Sequence, residues 1–140
     1  MNKYMQEAIK QSEKSTCLRS KVGAVIVKDN KIIAYGYNNA VGGIKPCTEI
    51  GCIRDKLHIK HGERREVCRY ICAEQMIVSE AARNGLSLDG GIAYITTFPC
   101  VVCSKLLVNA GIKEIVYLND YPDELSKEFL REVGVQFRKI

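Results

Sequence analysis

The chain has 140 residues, 46% of them hydrophobic, and a formal net charge of +5 at pH 7. This length fits one domain over residues 1–140 with a core that needs no disulfides, and it argues against a second independent domain. The N-terminal residues carry no apolar signal region, and no stretch approaches the roughly 18 uninterrupted apolar residues of a membrane span. We therefore expect a soluble, cytoplasmic protein.

The cysteine content and the net charge indicate which kinds of ligand the protein binds. Seven cysteines are many for a cytosolic chain, and an odd number argues against a framework made only of disulfides, which favours metal binding. The positive charge suits an anionic partner, either a phosphorylated metabolite or a nucleic acid. The lysines and arginines are scattered rather than concentrated in one stripe with exposed aromatic residues, so a nucleic-acid partner is disfavoured.

The first third of the chain predicts a helix followed by a β-hairpin. Apolar residues from Tyr4 to Ile9 recur at helical spacing, and the amphipathic helix they form is expected to cover a sheet. Residues 22–27 predict a buried strand, residues 28–31 a turn, and residues 32–37 a second strand that pairs with the first. Asn38 then falls where the second strand ends.

The segment from Asn39 to Arg69 interrupts this periodicity. Glycines and a proline punctuate it, and it contains three cysteines and both histidines. So long an irregular segment inside a compact domain usually needs a functional or metal-based reason to be ordered.

The second half of the chain alternates helices and strands, which predicts an α/β layered fold. The elements are a helix from Cys72 to Asn84, a strand at 92–97, a helix after Pro99, a strand at 112–118, a helix at 122–133 and a strand at 135–137. A helix between the last two strands implies a crossover connection, so these strands are expected to run parallel.

Two short motifs carry the predicted chemistry: Cys72-Ala73-Glu74 and Pro99-Cys100-Val101-Val102-Cys103. A zinc ion that activates water needs three protein ligands, an open fourth position and a nearby carboxylate that moves protons without binding the metal. We expect Cys72, Cys100 and Cys103 to hold this catalytic Zn²⁺, since both motifs begin helices, where the helix dipole favours thiolates. Glu74 alone would be read as an exposed first-turn carboxylate, but beside three such cysteines the catalytic role is favoured.

The paired motif resembles the signature of zinc-dependent nucleobase deaminases. Longer stretches, from Thr16 to the end of the chain, resemble the deoxycytidylate (dCMP) deaminase family. They are Ser15-Thr16-Cys17-Leu18-Arg19, residues 22–27, Gly36-Tyr37-Asn38, Cys68-Arg69 and Cys72-Ala73-Glu74-Gln75. The resemblance implies a cytidine deaminase-like three-layer αβα fold, with a mixed five-stranded sheet whose last two strands are parallel. It also implies zinc-dependent hydrolysis of dCMP to dUMP with release of ammonia, a homo-oligomer that is often a hexamer, and dCTP and dTTP as allosteric effectors.

By the same resemblance, deaminases of free cytidine use three cysteine ligands but have antiparallel last strands, whereas dCMP and tRNA-adenosine deaminases insert a helix there. This chain combines the three-cysteine ligand set of the cytidine deaminases with the inserted helix of the dCMP and tRNA-adenosine deaminases. We give the fold more weight than the ligand set, because the fold resemblance covers most of the chain. Cys72 stands where the dCMP family usually has histidine, so the three thiolates leave a net charge of about −1 on the zinc site. A neighbouring cation would compensate; Arg69 is one candidate, and a solvated arginine is the other reading of Arg69.

Resemblance assigns the substrate-binding residues. Asn38 matches an asparagine that holds the sugar, Ala24 matches a small residue of the base pocket, and Ala73 belongs to the matched motif. From the residues alone, Asn38 is equally a turn residue that ends a strand. The phosphate contact stays open among several basic residues: Arg19, Lys21, Lys60, His61, Arg64 and Arg65.

Four cysteines remain: Cys17, Cys47, Cys52 and Cys68. Four thiolates complete a structural zinc shell. In the dCMP deaminase family that this chain resembles, some members carry a second, structural zinc near the positions that match Cys17 and Cys47. Two alternatives stay open: ordinary reduced cysteines, or a site in which His58 or His61 replaces one cysteine.

Two rival functions stay open. One is deamination of another cytosine nucleoside or nucleotide, or of a tRNA base. The other, of a different class, is a zinc-stabilised binding module without catalysis. The retained Glu74 and the open fourth position of a three-cysteine site disfavour the module.

Overall fold

The protein structure is a computed structural model that describes residues 2–140. The helices are α1 (Lys3–Ser12), α2 (Cys47–Ile50), α3 (Ile53–Lys56), α4 (Ala73–Asn84), α5 (Val101–Asn109) and α6 (Glu124–Val133). The strands are β1 (Gly23–Lys28), β2 (Lys31–Tyr37), β3 (Asn39–Ala40), β4 (Tyr70–Ile71), β5 (Ile92–Thr97), β6 (Glu114–Asn119) and β7 (Gln136–Lys139). None of the helices within residues 2–140 is both long enough and apolar enough to cross a membrane.

Five strands form one mixed sheet in the order β2-β1-β5-β6-β7. Strand β1 pairs antiparallel with β2 and with β5, whereas β5, β6 and β7 run parallel. The parallel pairs follow from the chain path, because α5 and α6 each connect two strands that must start from the same edge. The predicted parallel arrangement of the last two strands is confirmed.

Helices cover both faces of this sheet, which gives three layers. Strand β1 is buried on both faces: Ala24 and Ile26 join the core under α4, α5 and α6, while Val25 and Val27 join the core under α1. The alternation follows from the period of two residues along a strand. The predicted role of α1 as a cover for the sheet is confirmed, since Met5 and Ala8 are fully buried there.

The segment between β2 and α4 is more ordered than its sequence predicts. It contains the single turns α2 and α3 and a 3-10 turn at Arg65–Val67, and its two ends pair as the antiparallel strands β3 and β4. We refer to residues 41–69 as the insertion. Because β3 and β4 pair, the insertion leaves and re-enters the fold at one place, next to the start of α4.

Candidate active site and metal centre

The N-termini of α4 and α5 lie side by side and bring three cysteines together. Cys72 is the N-cap of α4, Cys100 is the N-cap of α5, and Cys103 lies in the first turn of α5. Their thiols are within hydrogen-bonding reach of one another. The three cysteines named from the sequence therefore form one cluster, although Cys100 lies 28 positions after Cys72 in the chain.

Neighbouring side chains hold the two helix starts in place. Gln75 accepts a hydrogen bond from the backbone N–H of Cys72 at 2.7 Å, which closes a capping box on α4. Asp123 accepts from Val101 N–H at 2.8 Å with one oxygen and from Ser126 N–H at 3.0 Å with the other. One carboxylate thus caps α5 and α6 together, and this link between the two helices was not found from the sequence.

The thiols of the cluster share protons rather than ionising independently. Hydrogen bonds from Cys103 and Cys72 lower the pKa of Cys100, whereas hydrogen bonding to Cys100 and burial raise the pKa of Cys103, and the pKa of Cys72 rises to about 12. Three neighbouring thiolates repel one another unless a cation lies between them. As the side chains stand, no group of three or more His, Cys, Asp or Glu residues in the described part of the chain has the spacing of a metal cluster. The donor chemistry nevertheless fits Zn²⁺, for which thiolate is a preferred ligand.

Glu74 lies in the first turn of α4 and is only 4% exposed, so the reading as an exposed first-turn residue is wrong. Burial, followed by repulsion from Cys100, raises the pKa of the Glu74 carboxyl to about 7. Its Oε1 atom is buried without a hydrogen-bond partner. An unpartnered carboxyl oxygen of this kind costs stability, which is typical of a group reserved for a ligand or for chemistry.

A cavity of about 290 Å³ opens beside Glu74. Its walls come from the end of the first hairpin, the insertion, the start of α4, and the loops that follow β5 and β6. The lining residues include Ser20, Val22, Asn38, Arg54, His61, Tyr70, Cys72, Ala73, Glu74, Thr97, Phe98, Cys100, Asn119 and Tyr121. The volume and mixed polar and apolar lining suit a small organic ligand.

The predicted substrate residues divide between the cavity and the core. Ala73 and Asn38 line the cavity. The Asn38 amide donates to Ser20 O at 2.7 Å and accepts from Val22 N–H at 2.8 Å, so it also ties the end of β2 to the segment before β1. Ala24 is 1% exposed and lies within the core rather than on the cavity wall. Val22, which lies just before β1, is on the cavity wall instead.

The cation beside the cysteine cluster is Arg65 rather than Arg69. The Arg65 guanidinium donates through Nη2 to the sulfur of Cys72. Arg69 instead donates through Nε to the Lys45 carbonyl at 2.8 Å. The sequence suggested Arg69 because it is nearer to Cys72 along the chain, but the 3-10 turn directs Arg65 towards the cluster.

Most of the basic residues considered for phosphate binding are engaged elsewhere. Arg19 pairs with Asp55 at 2.7 Å, and Arg64 pairs with Glu66 at 2.6 Å. Lys21 and Lys60 are exposed, Arg65 contacts Cys72, and His61 lies on the cavity wall. Of these six residues, His61 therefore keeps the clearest access to a bound ligand.

Arg54 is a cavity residue that the sequence analysis missed. It is 2% exposed, donates to Glu63 O at 3.2 Å and lies 3.5 Å from the Tyr70 hydroxyl. Its Nε atom is buried without a partner. Nothing in the local sequence around Arg54 distinguishes it from the other scattered arginines; only its burial at the cavity does.

The other four cysteines also come close together. Burial raises the pKa of Cys47, and the neighbouring thiols of Cys17, Cys52 and Cys68 raise it further. Cys17, Cys47 and Cys52 are buried, and Cys68 is partly buried. The group joins the insertion to the segment between α1 and β1.

Known proteins resemble this chain over most of its length. Residues 1–119 match the family described as the cytidine and deoxycytidylate deaminase zinc-binding region. The deoxycytidylate deaminase of Schizosaccharomyces pombe is 34% identical over 137 residues, covering 97% of this chain and 42% of that protein. The ComE operon protein 2 of Bacillus subtilis is 34% identical over 128 residues, covering 91% of this chain and 64% of that protein. The chain thus spans less than two thirds of the length of these relatives.

Solved structures confirm the predicted cytidine deaminase-like fold. The dCMP deaminase of cyanophage S-TIM5, crystallised with dCMP and dUMP, superposes with a TM-score of 0.82 at 29% identity. The superposition covers 100% of this chain and 99% of the cyanophage chain. From the family match over residues 1–119 and this likeness in fold, the chain belongs to the cytidine and deoxycytidylate deaminase zinc-binding family.

Proposed function

We propose that this protein hydrolyses dCMP to dUMP and ammonia. The observation that carries the proposal is Glu74, a buried carboxyl with an unpartnered oxygen beside three clustered thiols and a cavity. A site of this composition is what hydrolytic deamination requires: a metal-binding set, a proton carrier and room for one base. The dCMP deaminases among its relatives support the choice of substrate.

In this proposal Cys72, Cys100 and Cys103 would hold Zn²⁺, which would supply the Lewis acidity that lowers the pKa of water. Glu74 would accept one proton from the attacking water and deliver it to N3 of the base, then take the second proton from the resulting C4 hydroxyl and deliver it to the departing amino group. The C4–O bond forms, the C4–N bond breaks and ammonia leaves. Burial keeps the Glu74 proton readily exchangeable near neutral pH, since its pKa is raised to about 7.

The cavity walls suit a pyrimidine nucleotide. Val22, Ala73 and Phe98 provide apolar surface for the base, and Asn38 is held by its hydrogen bond to Ser20 beside the expected sugar position. We assign the phosphate to the side of the cavity where the buried Arg54 lies. Its unpartnered Nε donor and its charge favour a dianionic group, because guanidinium binds phosphate through charge-assisted hydrogen bonds.

Activity towards dCMP and cytidine tests this phosphate assignment. We expect wild-type kcat/KM for dCMP to exceed that for cytidine, and Arg54→Gln to lower the value for dCMP by about 10- to 100-fold more than the value for cytidine. Cytidine serves as the internal control, because a general folding defect would affect both substrates. A wild-type preference for cytidine would refute phosphate recognition, while the deaminase assignment would survive.

We further propose that Cys17, Cys47, Cys52 and Cys68 bind a second, structural Zn²⁺. Their mutual proximity and their position between the insertion and the α1–β1 segment support it. The insertion has few apolar residues of its own, and a four-thiolate site would provide the missing stabilisation.

The zinc content of the purified protein tests the second site. We expect two zinc ions per chain in the wild type and one in Cys47→Ser, whose insertion should also become sensitive to protease. Thr48→Ala, at the exposed neighbouring position, is the control and should keep both ions. One zinc ion in the fully metallated wild type would contradict the proposal.

A zinc-stabilised module without catalysis is the less favoured alternative, because a purely structural site gives no reason to bury the carboxyl of Glu74 beside a cavity. Cytoplasmic location, a homo-oligomer such as a hexamer, and control by dCTP and dTTP are proposed from family membership. Exposed Leu125 and Val133 on α6 offer apolar surface of the kind that subunits bury.

A further inference from the structure

The start of α6 holds the backbone on both sides of the proposed zinc ligand Cys100. Ser126, in the first turn of α6, donates through its hydroxyl to the Pro99 carbonyl oxygen at 2.9 Å. The carboxylate of Asp123, the N-cap of α6, accepts from Val101 N–H at 2.8 Å. The first contact holds the peptide group that precedes Cys100, and the second holds the peptide group that follows it.

Two held peptide groups determine where the Cys100 thiol points. A peptide group is planar, so the direction of the Pro99 carbonyl also sets the direction of the Cys100 N–H. The ring of Pro99 fixes its own φ, which leaves the direction of its carbonyl as the main backbone freedom of that residue. With both peptide groups held, Cys100 keeps its N-cap conformation of φ −68° and ψ 168°, and this sets the direction of its Cα–Cβ bond.

A buried pair of hydroxyls supplies the contact to Pro99. Ser104 on α5 and Ser126 on α6 are both 0% exposed, and their Oγ atoms are 2.5 Å apart. Because the single hydroxyl proton of Ser126 goes to the Pro99 carbonyl, Ser104 is the donor within the pair. Burial of a hydroxyl costs free energy unless it is hydrogen-bonded, so packing of α5 against α6 does not by itself explain two serines there. The buried Pro99 carbonyl precedes the helix and needs a partner outside the helical hydrogen bonds, which explains Ser126.

We propose that Ser126 is a positioning residue of the metal centre: its hydroxyl holds the Pro99 carbonyl and thereby directs the Cys100 thiol towards the other two cysteines of the cluster. This inference rests on the zinc site of the proposed function. Ser126 lies on a helix that supplies none of the three cysteines, and it acts through Cys100 rather than on the substrate. Without its hydroxyl the Pro99 carbonyl is left unpaired, and rotation of that peptide group towards another donor moves the thiol.

The affinity of the catalytic site for zinc tests this role. The catalytic zinc is identified as the ion that Cys72→Ala loses, and its dissociation constant is measured by competition with a chromophoric chelator. We expect Ser126→Ala to weaken binding of this ion by about 10- to 100-fold, the range usual for groups that hold a metal ligand in place. Ser104→Ala is the matched control, because it removes the other buried hydroxyl but leaves the Pro99 carbonyl paired. Its zinc affinity should stay within about threefold of the wild type.

Cobalt spectra separate ligand geometry from stability. Co²⁺ in place of Zn²⁺ absorbs visible light through d–d transitions whose energy and intensity depend on the coordination geometry. Subtraction of the Cys72→Ala spectrum isolates the signal of the catalytic site. At full loading, Ser126→Ala should shift or weaken these bands, whereas Ser104→Ala should retain the wild-type spectrum. A purely structural role of Ser126 predicts a lower melting temperature with an unchanged cobalt spectrum.

A second pair of variants decides if Ser126→Ala does not fold. Threonine and valine have the same shape and differ in the hydroxyl, so any strain from the added methyl groups is common to both. Ser126→Thr should bind the catalytic zinc about 10-fold or more tightly than Ser126→Val, because only threonine can donate to the Pro99 carbonyl.

Wild-type zinc affinity and an unchanged cobalt spectrum in Ser126→Ala would overturn the proposal. Equal zinc affinities of Ser126→Thr and Ser126→Val would also overturn it, as would equal losses in Ser126→Ala and Ser104→Ala. These measurements are made without substrate. A wild-type protein that binds zinc as expected but releases no ammonia from dCMP would therefore refute the proposed function and leave this inference standing. A wild-type protein that binds no zinc at the three cysteines would refute both.

Discussion

Replacing Glu74 with glutamine is expected to lower kcat for ammonia release from dCMP by about 100- to 10,000-fold, with zinc content unchanged. Glutamine has nearly the same shape but cannot accept a proton from water and pass it to the base. Single-turnover ammonia assays and metal analysis measure the two quantities. Glu80→Gln, an exposed carboxylate on the same helix, is the matched control and should behave as the wild type.

The same substitution should raise stability. Burial raises the pKa of Glu74 to about 7, from 4.5 in the unfolded chain, so the folded state holds a proton that the unfolded state releases in this pH range. Ionisation of Glu74 therefore destabilises the metal-free protein progressively as pH rises from about 4.5 through about 7.

Metal-free Glu74→Gln should exceed the metal-free wild type in free energy of unfolding by on the order of 2 kcal/mol at pH 8, with little difference near pH 4. Urea titrations at the two pH values measure this difference in free energy of unfolding.

The activity of Glu74→Gln decides the catalytic role. If this variant keeps activity within about threefold of the wild type, Glu74 is not the proton carrier.

Two substitutions of Cys72 are expected to show that the zinc site needs a metal ligand at this position, but not necessarily a cysteine. Cys72→Ala should lose both the catalytic zinc and activity, because two thiolates leave the tetrahedral site open at two positions. Cys72→His should retain zinc and part of the activity, since a neutral imidazole can occupy the same corner and leaves the metal more electrophilic. Elemental analysis and ammonia release measure these outcomes. Full activity in Cys72→Ala would exclude Cys72 from the metal site and undermine the assignment of the other two cysteines.

Much of the architecture follows from local pattern in the sequence. The unbroken apolar run of β1 predicts an internal strand of the sheet, because only a strand covered on both faces has no polar side. The run of helix and strand after Cys72 predicts parallel pairing, because each crossover returns the chain to the same edge. The Cys72 and Cys100 motifs predict one shared site, because N-terminal positions of neighbouring helices in such a fold point to one end of the sheet.

Which basic residues reach that site depends on the folded insertion. Arg65, Arg69 and Arg54 all lie in it, and there no regular period relates position in the sequence to side-chain direction. The 3-10 turn at Arg65–Val67 directs Arg65 to the Cys72 sulfur, and burial places Arg54 on the cavity wall.

Residue spacing within helices and strands was enough to predict the main elements of this protein, their order and the clustering of the two cysteine motifs. Two other features emerged only from the packed structure: Val22 rather than Ala24 faces the cavity, and Asp123 caps α5 and α6 together. These contacts join segments far apart in the chain, and their geometry depends on how the layers pack and how the insertion folds back.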